Sequence, residues 1–243
     1  MLTRRDFIRA AALTPWLPPL DASAQATGVI VNDIHSQLTA TRVSRVVTPD
    51  TLNTVRNAIK AARNEHRAVC IAGGRHAMGA QAFATDGVLI DIRKLDRVLA
   101  FDTMRGLIEV ESGVQWPQLL NHLVSAQRGQ DKQWAFSQKQ TGADRLTMGG
   151  CLSANVHGRG LTLPPFVGDV ESFKLLDPRG ALVNCSRSEN PELFRLVIGG
   201  YGLFGFIYSV TLRLVPRRKV QRIVEVRDIE GLPGAFADRI RTG

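Results

Sequence analysis

The residue types best suited to chemistry lie in residues 72–81, where His76 stands among three glycines. Glycine reaches backbone conformations that other residues resist, and it lets the main chain approach a ligand closely. Successive backbone amides in such a loop can point inward and form a cradle for phosphate oxygens. The loop follows the apolar run 68–71. The pattern predicts a dinucleotide-cofactor loop with a histidine beside the bound cofactor.

A second glycine-rich stretch covers residues 148–160 and is too long to be a single turn. Asp144, just before it, is the carboxylate that invites a general-base interpretation, because a proton acceptor must lie close to the reacting group. Solvation in a surface loop is the preferred interpretation of Asp144, so the catalytic residue stays unknown. Within the stretch, Cys151 is interpreted as a small buried packing residue. His157 is interpreted as a contact or structural residue rather than a catalyst.

A third glycine cluster, residues 200–205, has the spacing G-x-G-x-x-G, and Glu225 lies about 20 residues further on. A nicotinamide site of the Rossmann type needs a strand before these glycines and a helix after them, because the helix N-terminus holds the pyrophosphate. Here a helix over residues 190–197 is predicted before the glycines and an alternating strand over residues 206–215 after them. This order argues against a Rossmann site.

Metal binding and disulfide bonds are not predicted. The three cysteines form no Cys-x-x-Cys pair, and their odd number does not suit a disulfide framework. The five histidines show no metal-ligand spacing such as His-Glu-x-x-His. The chemistry of the chain is therefore sought in its glycine clusters.

Helices and strands must hold these clusters in place. A helix is predicted after the N-cap Thr48, because apolar residues recur at helical spacing up to Ala62. A hairpin is predicted to pair residues 170–176 with 181–185 across a turn that contains proline and glycine. The mixture has no regular βαβ rhythm, so the predicted class is α+β. The other predicted elements are strands over 87–92, 107–111 and 222–226 and helices over 117–126 and 235–241.

The composition is that of an ordinary globular protein, with 243 residues, 44% hydrophobic and 22% charged. The net charge of +9 raises nucleic acid or acidic ligands as partners. The basic residues are scattered, however, and the densest cluster, residues 217–219, has no interleaved aromatics. Nucleic-acid binding needs a basic stripe or a motif, so it is not predicted. No run reaches the roughly 18 apolar residues of a membrane span.

Residues 1–26 are interpreted as an export signal. Residues 3–9 form a twin-arginine pattern, a weakly apolar run continues to Leu20, and small residues within 22–26 offer a cleavage site. The alternative is a disordered or helical N-terminal arm. Twin-arginine export carries folded proteins and is common where a cofactor is loaded first, so the signal argues independently for a cofactor. It predicts a periplasmic or secreted protein.

An ordered set of motifs extends over about residues 43–215. The motifs are residues 73–76 (GGRH), Asp91, 111–114 (ESGV), 147–150 (TMGG), 155–158 (NVHG), 190–194 (NPELF) and 199–207 (GGYGLFGFI). Together and in this order they resemble the FAD-linked oxidase superfamily, typified by vanillyl-alcohol oxidase, p-cresol methylhydroxylase and cytokinin dehydrogenase. The resemblance implies an α+β, p-cresol methylhydroxylase-type FAD-binding domain of two subdomains, with FAD between them.

The resemblance also implies which residues contact FAD. His76 occupies the position at which many members bond a histidine to the flavin, and a noncovalent FAD contact or a structural loop role are the alternatives. Ala77 stands where the family has a serine, which removes one hydroxyl contact. The implied cofactor-binding residues are Gly73, Gly74, Arg75, His76, Ala77, Gln81, Thr147, Gly149, Gly150, Ser153, His157 and Ile207.

Domain division and activity follow from the same resemblance. The FAD-binding domain would cover residues 38–218, with subdomains of about 38–100 and 101–218, and residues 219–243 would begin a substrate-binding cap domain that is absent or truncated. The implied function is an FAD-dependent oxidase or dehydrogenase, which moves a hydride from a small alcohol, lactone or amine to FAD and passes the electrons to oxygen or another acceptor. The alternative is a truncated, non-catalytic FAD-binding fragment or one part of a split flavoenzyme.

Overall fold

A computed structural model describes residues 28–139, 142–158, 160 and 162–242 of the chain. The predicted export signal lies outside the described residues. The strands are β1 (Val29–Val31), β2 (Thr41–Val43), β3 (Arg45–Val47), β4 (Val69–Ala72), β5 (Val88–Asp91), β6 (Val98–Asp102), β7 (Leu107–Glu111), β8 (Trp134–Ala135), β9 (Val170–Leu176), β10 (Leu182–Ser186), β11 (Phe206–Arg213) and β12 (Val215–Pro216). The α-helices are α1 (Leu52–Asn64), α2 (Trp116–Ala126), α3 (Met148–Ser153), α4 (Pro191–Val197) and α5 (Leu232–Thr242).

The N-terminal half contains a small parallel sheet in the order β3-β5-β4. Helix α1 connects β3 to β4, so the chain makes a crossover before β5 enters between the two strands. All four residues of β5 are buried. A continuous apolar run suits a central parallel strand that is covered on both faces. The short pair β1-β2 is antiparallel and precedes this sheet.

Helix α1 begins three residues later than the sequence predicts, so the N-cap prediction of Thr48 is wrong. The helix starts at Leu52, and the hydroxyl of Thr51 accepts a hydrogen bond of 3.2 Å from the amide of Thr54. Thr48 and Thr51 could each serve as the N-cap of this helix. The structure uses the second one, so Pro49 lies before the helix.

The strands that follow β5, apart from the short β8 and β12, form a five-stranded antiparallel sheet in the order β10-β9-β11-β7-β6. The predicted hairpin of β9 and β10 is confirmed, and Leu182 pairs with Leu176 beside the turn. Strand β11 is central and pairs with both β9 and β7. The chain therefore combines a parallel and an antiparallel sheet with helices, which is an α+β architecture.

Two apolar clusters hold the sheets and helices together. The larger one lies between the antiparallel sheet and helices α2 and α3, where Trp116 packs edge-on against Phe136 and Phe166. The second cluster joins Val55 of α1 to Leu176 and Phe206 at the ends of β9 and β11. This second cluster fixes the parallel sheet against the antiparallel sheet, and the ends of β4, β9 and β11 meet where the two sheets join.

The predicted strand over residues 222–226 is wrong, because the structure has no strand there. Val224 and Val226 are 67% and 99% exposed, so no other element packs on this segment. Helix α5 follows and includes the predicted helix 235–241. None of the helices in the described ranges is long and apolar enough to cross a membrane.

Candidate functional site

A cavity of about 270 Å³ opens at the carboxyl end of β4. Three segments form its walls: the glycine loop 73–77 after β4, residues 146–150 around the start of α3, and residues 201–205 before β11. Ligands of sheets that contain parallel strands commonly bind at the carboxyl ends of those strands. The three glycine clusters of the sequence thus converge on one site, although they are far apart in the chain.

The glycine loop approaches the second wall too closely for any side chain. A Cβ atom on Gly73 would lie 2.0 Å from Oγ1 of Thr147. A Cβ atom on Gly74 would lie 2.3 Å from the carbonyl oxygen of Arg145. Both distances are far below van der Waals contact, so these two positions require glycine.

Backbone hydrogen bonds fix the start of α3 beside the loop. Thr147 is the N-cap of α3, and its Oγ1 accepts a hydrogen bond of 3.3 Å from the amide of Gly150. The amides of Met148 and Gly149 donate to carbonyl oxygens of the strand-end segment that follows β7, at 2.9 and 2.8 Å. The third wall is joined to α3 by the amide of Tyr201, which donates to the carbonyl of Ser153 at 3.1 Å.

Cys151 of α3 is fully buried on the side of the helix that packs into the core. Burial raises the pKa of its thiol to about 12. The thiolate, which is the reactive form of cysteine, is therefore scarce at neutral pH. This supports the packing interpretation of Cys151 and gives it no role at the cavity.

Arg75 supplies positive charge to the cavity. Its backbone has a φ of +57°, and its guanidinium lies 3.3 Å from the buried carboxylate of Asp91. Asp91 is shared with Arg93, which donates to it at 2.6 Å. The Nε atom of Arg75 is buried and has no hydrogen-bond partner in the described chain. An unpaired buried donor of this kind suits an anionic ligand, because leaving it unpaired is costly.

His76 is half-buried in the cavity wall beside Arg75. Its Nδ1 lies 2.7 Å from Nε2 of His35, and the two ring centroids are 4.8 Å apart with a tilt of 50°. Burial, and then the neighbouring His35, lower the pKa of His76 below its usual 6.5, while the carbonyl of Arg145 acts in the opposite direction. His76 is therefore a neutral imidazole at neutral pH, the form in which a ring nitrogen can act as a nucleophile.

The structure brings eleven of the twelve predicted cofactor-binding residues to this cavity. His157 is the exception: it is exposed, does not line the cavity, and its Nδ1 lies 2.9 Å from the carbonyl oxygen of Gly158. Asp144 does not line the cavity either. Its carboxylate is 70% exposed and forms an ion pair with Lys139, which is the setting expected of a solvated loop residue.

Other lining residues were not predicted from the sequence. Tyr201, Gly202 and Gly205 belong to the motif 199–207, which carries the family resemblance, but the resemblance implied a cofactor contact only for Ile207 in that motif. The remaining unpredicted lining residues are Ile71, Ala82, Ile92, Leu146, Ala154 and Val156. His35 was missed because it lies 41 residues before its partner and belongs to no motif.

The groups that line the cavity fit a ligand that has one anionic part and one flat, apolar part. Arg75, the glycine loop and the hydroxyls of Thr147 and Ser153 face the cavity together with aliphatic side chains such as Ile92 and Ile207. No carboxylate is among the described residues that line it. Elsewhere in the described ranges, no group of three or more His, Cys, Asp or Glu side chains is arranged to hold a metal ion.

The fold and the cavity define an α+β domain that binds a dinucleotide cofactor. A family model with the description "FAD binding domain" matches residues 43–186, which is more than half of the chain, and the chain belongs to this family. The match confirms the resemblance to FAD-linked oxidases, and it confirms FAD as the cofactor. The charged, polar and apolar residues that line the cavity fit FAD.

Curated relatives agree with the family match. L-gulonolactone oxidase of Bos taurus is 30% identical over 71% of this chain and 38% of the relative. L-galactono-1,4-lactone dehydrogenase 2, mitochondrial, of Oryza sativa subsp. japonica is 28% identical over 83% of this chain and 32% of the relative. Cytokinin dehydrogenase 8 of Oryza sativa subsp. indica is 28% identical over 82% and 38%. The chain thus spans about a third of the length of these relatives.

Proposed function

We propose that this chain provides the FAD site of an oxidoreductase that transfers a hydride from a small alcohol, lactone or amine to FAD, with oxygen or another acceptor taking the electrons. The cavity at the end of β4 carries the proposal, because it combines phosphate-binding groups with an apolar wall. FAD supplies the ring that accepts the hydride. The residues of the chain bind FAD, orient it and keep water from it.

The chain's own residues have separate roles in this proposal. Arg75, the loop from Gly73 and the hydroxyl of Thr147 would hold the pyrophosphate, since charge-assisted hydrogen bonds to phosphate are strong. Ile92 and Ile207 would pack against an apolar face of the cofactor and exclude water. The glycine loop and Ile92 directly follow strands of the parallel sheet, and Ile207 lies in the antiparallel sheet. A shared apolar cluster joins the two sheets and so holds these residues in place.

Spectroscopy of the purified full-length chain tests the proposal. We expect a yellow protein with flavin absorbance, or a colourless one that becomes yellow with FAD. Under anaerobic conditions, a substrate should bleach this absorbance as the flavin is reduced. A chain that takes up no FAD contradicts the proposal. A chain that binds FAD, and whose flavin is bleached by dithionite but by no alcohol, lactone or amine, supports the non-catalytic fragment or one part of a split enzyme.

Among the three substrate classes, we propose lactones as the first to test. Two of the relatives are named for lactones, L-gulonolactone and L-galactono-1,4-lactone. The third is named for cytokinin, which keeps amines as the second class. Anaerobic titration with each compound, followed by the flavin absorbance, ranks them directly.

We also propose that FAD is bonded to His76. The support is the neutral, half-buried imidazole at the wall of the cavity. We expect flavin to stay with the wild-type protein through acid precipitation and to leave the His76→Ala variant. Flavin that remains with His76→Ala after denaturation would show that the bond is elsewhere. Complete release from the wild type would favour the noncovalent alternative.

For the domains, we propose an FAD-binding domain over residues 38–218, divided into subdomains of about 38–100 and 101–218. Residues 219–243 would begin a cap domain. The exposed segment after Pro216 supports this division, because it leaves the body of the domain. The reading frame beyond codon 243 tests it: an in-frame, cap-like continuation supports the enzyme, and a stop supports the fragment.

Export is a separate proposal. We propose that residues 1–26 direct the protein through the twin-arginine pathway to the periplasm or the exterior. The arginine pair within residues 3–9 supports it. We expect an Arg4→Lys, Arg5→Lys double variant to stay in the cytoplasm in cell fractionation. An unchanged distribution of this variant would contradict the proposal.

A further inference from the structure

FAD binding alone does not explain the contact between His35 and His76. The two rings are 41 residues apart in sequence, yet Nε2 of His35 lies 2.7 Å from Nδ1 of His76. In the described part of the chain, His35 is the only side chain within hydrogen-bond distance of the His76 ring. One ring must donate and the other accept, so the pair shares a proton between the two nitrogens.

A short turn holds His35 in this position. The carboxylate of Asp33 accepts hydrogen bonds from the backbone amides of His35, Ser36 and Gln37, at 2.8, 2.6 and 3.2 Å. The amide of Ile34 donates to the carbonyl of Arg75 at 3.1 Å, which attaches this turn to the glycine loop. The backbone on both sides of the ring contact is therefore fixed before any cofactor binds.

The two rings differ in their access to water. His35 is exposed, whereas His76 is half-buried, and Nε2 of His76 is fully buried. The carbonyl of Arg145 lies on that buried side, near Gly74. Burial disfavours a charge on His76, whereas the His35 ring is open to water. The pair can thus pass a proton from the cavity wall to solvent.

We propose that His35 positions the His76 ring and accepts its N–H proton while His76 bonds to FAD. The inference rests on the proposed tether through His76. Nδ1 of His76 faces His35, so Nε2 would be the nitrogen that bonds to the methyl carbon on the flavin ring. That bond would release one proton from the imidazole N–H and one from the methyl carbon, and two electrons would pass to the flavin. Dioxygen, as the oxidant, would take these electrons with two protons and become hydrogen peroxide. His35 receives the imidazole proton and releases it to water.

The other charged groups near the pair are engaged elsewhere. The carboxylate of Asp33 is directed into its own turn, and Ser36 donates to it at 2.7 Å. The guanidinium of Arg75 pairs with Asp91. Asp144 and Lys139 pair with each other. None of these side chains makes a hydrogen bond to either imidazole in the described chain, which leaves His35 as the proton acceptor that His76 contacts.

The test compares His35→Gln and His35→Ala with the wild type and with His66→Gln, an exposed histidine outside the cavity. Full-length apoprotein is incubated with FAD in air, and acid-stable flavin is followed over time, with FAD affinity and melting temperature measured separately. We expect similar FAD affinities and melting temperatures. Acid-stable flavin should form about 100-fold more slowly in both His35 variants, within the range that a positioned proton acceptor contributes. Free imidazole should restore part of the rate in His35→Ala, but not in His35→Gln.

Each outcome decides the matter. A wild-type rate in His35→Gln, or a slow His35→Ala variant that imidazole does not accelerate, overturns the proposal and leaves the tether intact. A wild type that binds FAD but releases it completely in acid overturns both the proposal and the tether, and leaves FAD binding standing. A wild type without FAD affinity overturns the proposed function as well. A slow His66→Gln would show that the effect is not specific to His35, which also overturns the proposal.

Discussion

Asp33 acts on the cofactor cavity without lining it. Its carboxylate accepts three backbone amides and the hydroxyl of Ser36, and this network holds the turn that presents His35 to His76. The hydrogen bond from Ser36 and the backbone amides lower the pKa of Asp33 from 3.8 to about 2. The geometry of this turn therefore depends on whether the carboxylate of Asp33 is ionised.

The pKa of Asp33 sets the pH range in which it stabilises the fold. Because its pKa is lower in the folded state, the stabilisation is fully present above pH 3.8 and is lost as the pH falls through about 2. We expect the wild type to be more stable than Asp33→Asn at neutral pH, and the difference to disappear toward pH 2. Urea unfolding over a pH series measures it. A difference that persists unchanged at pH 2 would contradict this assignment.

Glu111 belongs to a motif of the family, yet here its contacts are structural. It is fully buried, accepts hydrogen bonds from the guanidinium of Arg97 at 2.7 and 3.1 Å, and receives the hydroxyl of Tyr208 at 3.2 Å. Burial and the nearby carboxylate of Glu111 raise the pKa of Tyr208. The motif therefore preserves the junction of β7 and β11 rather than a contact with the cofactor.

Substituting Glu111 should weaken the fold more than it weakens FAD binding. Glu111→Gln removes the charge from a fully buried acceptor of several hydrogen bonds, so we expect a loss of about 1–3 kcal/mol in the free energy of unfolding. Glu65→Gln is the matched control, since Glu65 pairs with Arg45 at an exposed site and such pairs contribute little. Denaturant titration of both variants measures the contrast. Equal losses in the two variants would contradict the structural role of Glu111.

At the scale of elements, the cavity depends on two backbones that approach each other without intervening side chains. The glycine loop leaves the end of β4, and α3 begins at Met148 directly opposite it. The 2.0 Å between an added Cβ on Gly73 and Oγ1 of Thr147 leaves no space for even one methyl group. The distance between the two walls is therefore set by the glycine.

We expect Gly73→Ala to push the two walls apart and to weaken FAD binding. Overpacking of this kind costs about 1–3 kcal/mol, so the dissociation constant for FAD should rise about tenfold or more. Gly234→Ala is the control, because Gly234 lies in α5 and an added Cβ there meets no atom within 4 Å. Quenching of FAD fluorescence on titration with apoprotein measures both constants. An unchanged constant in Gly73→Ala would show that the loop can shift freely.

A double variant identifies the atom responsible. Thr147→Ala removes Oγ1, the atom nearest to the added Cβ, although it also removes the cap of α3. If that contact causes the effect, Gly73→Ala should weaken FAD binding less in the Thr147→Ala background than in the wild type. Strict additivity of the two free energies would place the cause elsewhere.

At the scale of the whole molecule, local signals were predictable and long-range ones were not. The glycine loop and the start of α3 can be predicted from the sequence, because glycine and threonine indicate local backbone geometry. The contact of His35 with His76 depends on how β1 and β2 lead the chain past the loop, and no local pattern records it. The failed strand over 222–226 has the same cause: alternation marks a strand only where a neighbouring edge can pair with it.

The C-terminal segment makes little contact with the FAD-binding domain. In residues 218–242 every side chain is exposed except Ala235, and the hydrogen bonds found in this described segment stay within it. The last bond to the body joins Arg217 to Gln133. Exposed apolar side chains such as Val226, 99% exposed, contribute no burial to the fold.

A chain that ends after Arg218 should therefore keep the melting temperature and the FAD affinity of the full-length chain. It should also bind less of the dye ANS, because the apolar residues of α5 and the segment before it are gone. Calorimetry, FAD titration and ANS fluorescence measure the three quantities. A chain ending after Val210 is the matched control, since it removes the end of β11 from the core and should not fold. If the cut after Arg218 abolished FAD binding, residues 219–242 would have to contact the cofactor domain in solution, and they would form part of the site rather than an appendage to it.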